Sequence, residues 1–555
     1  MNIIKKLCMI LLAATMLIAG TACSGVEKQD AAETEKNAAT PSAEPAEEPT
    51  EAPIEADFCE SFTVSHTFST HMVVQRGEYI RVWGWAPDTE NGKKIAGDFA
   101  GVKAEALVEN GEWTIIFKQK LDANPEGQSM RIYTDTQEEV FEDVLIGDVY
   151  IVTGQSNCAY QVSAYWQLET DDENHMSKED VTKELPIRTC YNTQDTSYGN
   201  VEVRGSAEVG KDVKGKRIWK TASSSNVSSF SAIGYLFAYN YVKLTDGKIP
   251  VGLIEIDGNG RPLGSFLPNE VADEYGTDTY NKTLGYYKTT GVNAEWGRFL
   301  YNEYFAPYAK MAIAGMIWYQ GESDLADNEA NRYAEVWTAM VEYMRGTHNL
   351  INRDFPVYFI EFPPIYTQPS GYKGTNSWAY MDVGKIRGIM GSMVTKCGNV
   401  YQVQSGDLWT DRTFWNSLHP NCKGRQGRRL AKLVCALKGE AGVRLEEASG
   451  PIVSKVEFSK NGRKCTITFT NVGEGLKTSD GGDIIKGFLP LGSANTINLS
   501  GTVTAKIKSP DTVEITADSA MAGICYNSVT TYSFGNEITL MNSEGIPAGA
   551  FLYNR

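Results

Sequence analysis

No C-x-x-C pair occurs in this 555-residue chain, although it holds ten cysteines. That argues against a zinc ribbon or a thioredoxin-like redox site, both of which need sulfurs at that spacing. The G-x-S-x-G signature is missing as well, so a nucleophilic serine would not sit on the usual α/β-hydrolase elbow. The glycines of "DGNGRPLGSF" do not fit G-x-G-x-x-G, which makes a dinucleotide site a weak reading. No basic patch is present, so nothing suggests a nucleic-acid partner. There is no internal repeat, and histidine is scarce, with five in the whole chain. The search for a catalytic base is therefore short.

What is present is ordinary for a globular protein: 42% apolar and 22% charged residues. The length exceeds what one core supports and predicts two to four domains. Residues 1–22 read as a secretion signal, with Lys5 and Lys6 ahead of an apolar run from Leu7 to Gly20 that is short for a membrane span. Gly20-Thr21-Ala22-Cys23 resembles a bacterial lipobox, with Gly20 where leucine is usual. That resemblance implies lipidation at Cys23, a membrane anchor, and a secreted lipoprotein at the cell surface or facing the periplasm. The alternative is ordinary cleavage beside an unrelated cysteine. The rest of residues 23–57 is rich in Ala, Glu, Pro and Thr, has no apolar periodicity, and reads as a disordered acidic linker. About 34 residues of such a chain reach roughly 30–35 Å. It carries ten acidic residues against Lys28 and Lys36, so much of the net charge of −17 belongs to the linker.

Residues 58–144 alternate in short runs such as "YIRVWGWA", "GEWTIIF" and "SMRIYTD", with Asn110-Gly111 as a hairpin signal. They predict a small N-terminal β-sandwich. Over 145–445 the style changes to buried-strand runs ending in glycine or polar residues: "VLIGDVYIVTG", "IPVGLIEIDGNG", "AIAGMIWYQGES", "FPVYFIEFPP" and "GNVYQVQSGD". Helix-like stretches lie between them, and "GRQGRRLAKLVCALKGE" closes the region. This alternation predicts a parallel α/β sheet, in which ligands bind beyond the carboxyl ends of the strands. Residues 446–555 return to β signals and predict a C-terminal β domain.

The stretch "YIVTGQSNCAY" ends an apolar run with Ser156 between a glycine-permitted turn and Asn157. Ser156 is either exposed for nucleophilic attack or the cap of a helix. Among the histidines, His66 and His71 fall in the N-terminal β region, His175 in an acidic loop, and His348 at a helix end. Elimination favours His419, in "WNSLHPNCKG", as the base, with a hydrogen-bonded structural histidine as the alternative. In "IWYQGESD", Gln320 and the backbone near Gly321 can donate to an oxyanion, and Glu322 and Asp324 can orient or activate; a polar loop is the bland alternative. Gly258 and Gly260 offer further backbone donors.

Together these segments resemble the sialate O-acetylesterase family within the SGNH (GDSL-like) carbohydrate esterases. The matching stretches are "FSTHMVVQRGEYIRVWGWA", "VLIGDVYIVTGQSN", "VGLIEIDGNGRPLGSFLP", "GMIWYQGESD", "SLHPNCKGRQGRRLA" and "NSEGIPAGAF". Departures are Cys158 where methionine is common and Asn259-Gly260 where Gly-Gly is usual. The resemblance implies an SGNH-hydrolase-like three-layer α/β/α fold flanked by two β-sandwich domains. It implies a serine-dependent O-acetylesterase acting on acetylated glycans without metal or cofactor. Ser156 would be the nucleophile and His419 the base; Ser156 N–H, Gly260 N–H and the Gln320 side chain would form the oxyanion hole. Trp318 and Tyr319 would border the sugar or pack in the core.

One departure bears on catalysis. The family's aspartate two or three residues before the histidine is replaced by Ser417 and Asn416. Three substitutes for the orienting acid stand open: Glu322, slightly favoured because it lies in a matched block; Asp411 or Asp407; and Asn416 as a neutral partner. The gap also motivates a rival function, a carbohydrate-binding protein with impaired catalysis. Within the esterase class, the acetyl group can belong to sialic acid or to a plant polysaccharide such as xylan.

Overall fold

Glycine and asparagine place the first turns. Asn110 and Gly111 both adopt positive φ, 53° and 73°, and Glu109 bridges Glu112 across them. The flanking strands nevertheless pair elsewhere. The N-terminal strands are β1 (Thr63–Val64), β2 (Val73–Gln75), β3 (Ile80–Trp85), β4 (Lys94–Phe99), β5 (Val102–Leu107), β6 (Glu112–Phe117), β7 (Asn124–Tyr133) and β8 (Glu138–Gly154). β6 joins β1 and β3 in one sheet, whereas β5 pairs with β4 in another. The computed structural model of the protein describes residues 53–168, 175–182, 184–190, 211–212, 218–275, 300–324, 327–347, 354–361, 383–408, 418–420, 422–528 and 539–555.

Strand β8 carries the chain from the N-terminal sheets to the functional site. Its first half alternates with solvent and forms an antiparallel hairpin with β7. Its second half, from Val144, is buried throughout. Two-sided burial is what a central parallel strand requires, and the β-branched and aromatic run Val149-Tyr150-Ile151-Val152 meets it. Each of these side chains contributes roughly 1.5–3 kcal/mol by leaving water. The division between residues 144 and 145 therefore falls inside one continuous strand.

Beyond β8 come α1 (Val162–Trp166), β9 (Ile187–Cys190), β10 (Trp219–Thr221), α2 (Ala232–Leu244), β11 (Val251–Asp257), β12 (Gly315–Tyr319), α3 (Asp327–Thr347), β13 (Val357–Ile360), β14 (Val400–Val403) and α4 (Lys423–Lys438). The central sheet has the order β10-β9-β11-β8-β12-β13-β14. Neighbours from β9 to β14 run parallel, and β10 is an antiparallel edge. The fold is thus mixed α/β, built on one large mixed sheet. Helix α4 packs on α2, and Gly427 permits the approach: a Cβ there would lie 2.9 Å from the Leu236 and Phe237 backbone. Gly439, at φ 66°, ends α4 in the left-handed conformation that glycine tolerates best.

The C-terminal residues form a four-stranded antiparallel sheet (Ile452–Phe458, Lys464–Thr470, Thr512–Ala517, Val503–Ser509) and a second with Phe488–Ser493, Gly523–Tyr526 and Phe551–Asn554. Val453, Ile467 and Phe469 of the first share one apolar cluster with Phe488, Ile524 and Phe551 of the second. Buried Glu361, just past β13, ties these sheets to the central one. It accepts from Arg387 Nη2 at 2.7 Å and from the Ala550 N–H at 3.1 Å. All eight cysteines from Cys59 onward are buried thiols. Cys23 and its neighbours lie outside the described residues, among which no helix is long and apolar enough to cross a membrane.

Candidate active site

Register alone brings three turns to one rim. Gly154 at the end of β8 aligns with Asp257 on β11 and Tyr319 on β12. The residues that follow, Gln155-Ser156, Gly258-Asn259-Gly260 and Gln320-Gly321-Glu322, therefore leave the sheet side by side. Gly154 takes φ 150°, and a Cβ there would lie 2.1 Å from the Tyr319 carbonyl oxygen. Only glycine lets the two strands stay this close while the chain turns. The Gln155 carbonyl then accepts from the N–H groups of Cys158 and Ala159, both at 2.8 Å, leaving Ser156 and Asn157 at the tip. The Ser156 N–H donates no hydrogen bond among the described residues. Helix α1 begins at Val162 with Gln161 at its N-cap, so Ser156 does not cap it.

His419 reaches this turn from the segment after β14. Its Nε2 lies 2.9 Å from Ser156 Oγ, and both side chains are partly exposed. Burial, and then the Lys423 ammonium, push the imidazole down to about 4. The ring is therefore neutral at pH 7 and can accept the serine proton at Nε2.

The other histidines are occupied elsewhere. His66 and His71 bond Asp212 and Asp143 through Nδ1 at 2.8 and 2.7 Å, and His175 packs on the Tyr165 ring. His348 lies outside the described residues.

Glu322, the slightly favoured of the three substitutes for the orienting acid, does not reach the ring. Glu322 makes no hydrogen bond to His419 among the described residues; its Oε1 accepts from Asn157 Nδ2 at 2.5 Å instead. Its Oε2 is buried and has no hydrogen-bond partner among the described residues, and burial pushes the carboxyl up to about 7. The physical reason is the tight turn after β12, which points Glu322 to Asn157 in the Ser156 turn rather than toward the ring. Asp407 is held away from the site by Arg429, at 2.7 and 2.8 Å. Asp411, Asn416 and Ser417 lie outside the described residues.

Of the expected oxyanion donors, the Gln320 side chain needs correction. Gly260 sits at φ 65° in the turn after β11, whose Gly258 N–H bonds the Gly154 carbonyl at 3.0 Å. Gln320 is wholly buried, and its amide is consumed inside the protein. Nε2 faces Gln155 Oε1 and the Arg261 carbonyl, each at 3.1 Å, and Asp324 Oδ2 at 2.5 Å; Oε1 accepts from Tyr333. A side chain with every polar atom engaged has no donor left for an oxyanion. Asp324 completes the brace by accepting the Leu263 N–H at 3.1 Å. Trp318 and Tyr319 are core residues, at 1% and 0% exposure, because a central strand is buried on both faces.

A carbohydrate esterase family model, described as sialic acid-specific acetylesterase, matches residues 146–432, just over half of the chain. The chain belongs to this family. The human sialate O-acetylesterase is 23% identical over 341 residues, covering 59% of this chain and 60% of that protein. The mouse sialate O-acetylesterase is 22% identical over 366 residues, covering 59% and 62%. The chain thus spans about 60% of the length of the curated relatives it matches. The crystal structure of a carbohydrate acetylesterase from Xanthomonas citri superposes with a TM-score of 0.64 at 21% identity, covering 89% of this chain and all of that one. That likeness describes the fold.

Within this carbohydrate-esterase segment lie residues to which the sequence reading assigned no role. Gln155 Oε1 accepts from Gln320 Nε2, Ser323 N–H and Gly321 N–H, locking the β12 turn to the Ser156 turn. Ser231, the N-cap of α2, donates to the Cys158 carbonyl at 2.6 Å and so pins the far end of the Ser156 turn. Asn157 and Lys423 are wholly buried and hydrogen-bonded to each other at 2.7 Å. A sequence signal existed for Lys423: a cation in the first turn of a helix opposes the macrodipole and needs an acceptor to hold it there. Glu255 and Asp257, two apart on β11, share one face of the strand, and burial raises both carboxyls.

Proposed function

We propose that the protein is a carbohydrate O-acetylesterase that removes acetyl groups from sugars through an acetyl-enzyme on Ser156. The observation that carries this reading is the 2.9 Å approach of a neutral imidazole to an accessible serine hydroxyl. His419 Nε2 takes the hydroxyl proton as Oγ attacks the acetyl carbonyl carbon. The tetrahedral oxyanion is met by the Ser156 N–H, which donates no hydrogen bond among the described residues, and by the Gly260 N–H; one such donor is worth about 2.7–4 kcal/mol. Collapse breaks the bond to the sugar oxygen, which takes the proton from His419. Water then attacks the acetyl-enzyme with His419 again as base, releasing acetate and restoring the serine.

Family membership favours O-acetylated sialic acid as the sugar, with acetylated xylan as the alternative within the same chemistry. The SGNH-like three-layer arrangement, the flanking β-sandwich domains at 58–144 and 446–555, and surface anchoring through a lipidated Cys23 belong to the same proposal. The lack of a carboxylate on His419 among the described residues favours a second reading, a glycan-binding protein with impaired catalysis.

Acetate release from O-acetylated sialosides and from acetylated xylan separates these readings. Measurable turnover that vanishes in Ser156→Ala is the expected result. Glycan binding without hydrolysis of either substrate or of 4-nitrophenyl acetate would establish the second reading, and unchanged turnover in Ser156→Ala would refute the first.

A further inference from the structure

The imidazole of His419 has no carboxylate partner among the described residues, yet its segment is held from below. Asn157 Nδ2 donates to the Leu418 carbonyl at 2.8 Å, one residue before the histidine. The same nitrogen donates to Glu322 Oε1, and Asn157 Oδ1 accepts from Lys423 Nζ at 2.7 Å. An amide between a carboxylate and an ammonium has one sensible orientation, its oxygen toward the cation and its nitrogen toward the anion. That orientation leaves a donor for Leu418. The lysine is itself confined: Nζ lies over the Tyr319 ring at 4.7 Å and the Tyr160 ring at 5.4 Å, on a side chain with no exposure.

We propose that Asn157 and Lys423 are positioning residues for His419: the Asn157 amide, locked between Lys423 and Glu322, holds the Leu418 carbonyl and thereby sets the ring against Ser156. This rests on the reading of Ser156 and His419 as the esterolytic pair. The role is distinct from that of a carboxylate on the ring, because the restraint acts on the backbone beside the histidine. It also explains a buried lysine and a buried glutamate that the chemical steps do not use. Lys423 has a second effect. Its charge opposes protonation of His419, adding to the larger effect of burial. The other titratable groups near Lys423 are Glu322, Cys158 and Cys422, with Tyr160 and Tyr319 beneath it.

The test uses the full chain with 4-nitrophenyl acetate and an acetylated sugar, comparing Asn157→Ala, Lys423→Met, Lys423→Gln and the Asn157→Ala/Lys423→Met pair, with Ser156→Ala as the control. Asn157→Ala is expected to lower kcat about 100-fold at unchanged KM, the cost of a misplaced catalytic group. Lys423→Met is expected to lower kcat about tenfold, as for one lost hydrogen bond. The double variant should resemble Asn157→Ala alone, since both act through one amide. The acid limb of kcat/KM should move to higher pH in Lys423→Met, which a purely structural loss would not do. Lys423→Gln keeps a donor for Asn157 and should recover most of the kcat lost in Lys423→Met while keeping the displaced limb. Circular dichroism and thermal melts identify variants that fail to fold, and Lys423→Gln carries the test if Lys423→Met does. Multiplying losses in the double variant, an unmoved acid limb, or wild-type kcat in Asn157→Ala overturns the proposal. Activity retained in Ser156→Ala overturns the esterolytic reading instead.

Discussion

Replacing Gly154 by alanine should uncouple the serine from its base without touching either. The added Cβ would lie 2.1 Å from the Tyr319 carbonyl oxygen and 3.0 Å from Cys158 Cβ. Contacts below 3.0 Å do not persist, so β8 and β12 must separate by at least about 0.9 Å at this point, a shift comparable to the ~1 Å misplacements that cost about 100-fold in rate. Ser156 begins 2.9 Å from His419 Nε2. A displacement of that size along the bond leaves about 3.8 Å, beyond hydrogen-bond reach. The expected result is a fall in kcat of about 100-fold, with KM changed far less. Strain at φ 150° adds about 1–3 kcal/mol and overpacking about 1–3 kcal/mol to the folding cost. Urea unfolding should therefore show a lower midpoint at an unchanged slope. The assay is release of 4-nitrophenol from 4-nitrophenyl acetate, on protein shown to be folded by circular dichroism. A folded Gly154→Ala variant with kcat within about threefold of wild type, against the ~100-fold expected, would refute the geometric argument.

Two further outcomes follow from the charges. His419 must be neutral to act as base, so kcat/KM falls as pH drops through its pKa of about 4. At pH 5 an ordinary imidazole is only about 3% neutral, whereas this one is about 90% neutral, a roughly 30-fold difference in active base. A pH–rate profile with its acid limb near 6.5 would contradict the depressed value. Asp148, wholly buried at the start of the central part of β8, accepts from Arg76, Lys438 and Tyr241. Burial by itself raises this carboxyl, but Lys438 and Arg76 outweigh it and hold it well below the carboxylate range. Its contribution to stability is present above the ordinary carboxylate value of 3.8 and is lost as pH falls below that. Asp148→Ala takes the carboxylate from Lys438 and leaves Arg76 with that of Glu440 alone among the described residues, and should cost about 3–5 kcal/mol at pH 7 by urea unfolding, with no change in the acid limb of the rate profile.

Five strands of the central sheet (β8, β11, β12, β13 and β14), the helices α2 and α4, and the polar turns at those strand ends were legible in the chain; the short strands β9 and β10 were not. Apolar runs closed by glycine admit few other structures, and such runs place their turns at one rim of a parallel sheet. Ser156 stood out because it follows a buried run, at the end where a sheet presents its loops; His419 stood out by elimination among five histidines. The partners of buried polar side chains were not legible. Glu322 and Gln320 occupy the expected turn, but they point inward, to Asn157 and to Gln155, Arg261 and Asp324. Spacing along a chain says which residues share a turn, not which way a side chain leaves it. Asn157 and Lys423, 266 positions apart, could be joined only by folding.

By itself, the sequence determined an alternating α/β core with β segments on either side and a serine and a histidine at strand ends, because hydrophobic period and turn chemistry are local properties. Tertiary structure alone decided that β8 runs unbroken from the N-terminal sheets to Ser156, that His419 lacks a carboxylate among the described residues, and that an amide between buried charges braces its backbone. Those outcomes depend on how separate segments satisfy one another's hydrogen bonds away from water, and no single segment contains that information.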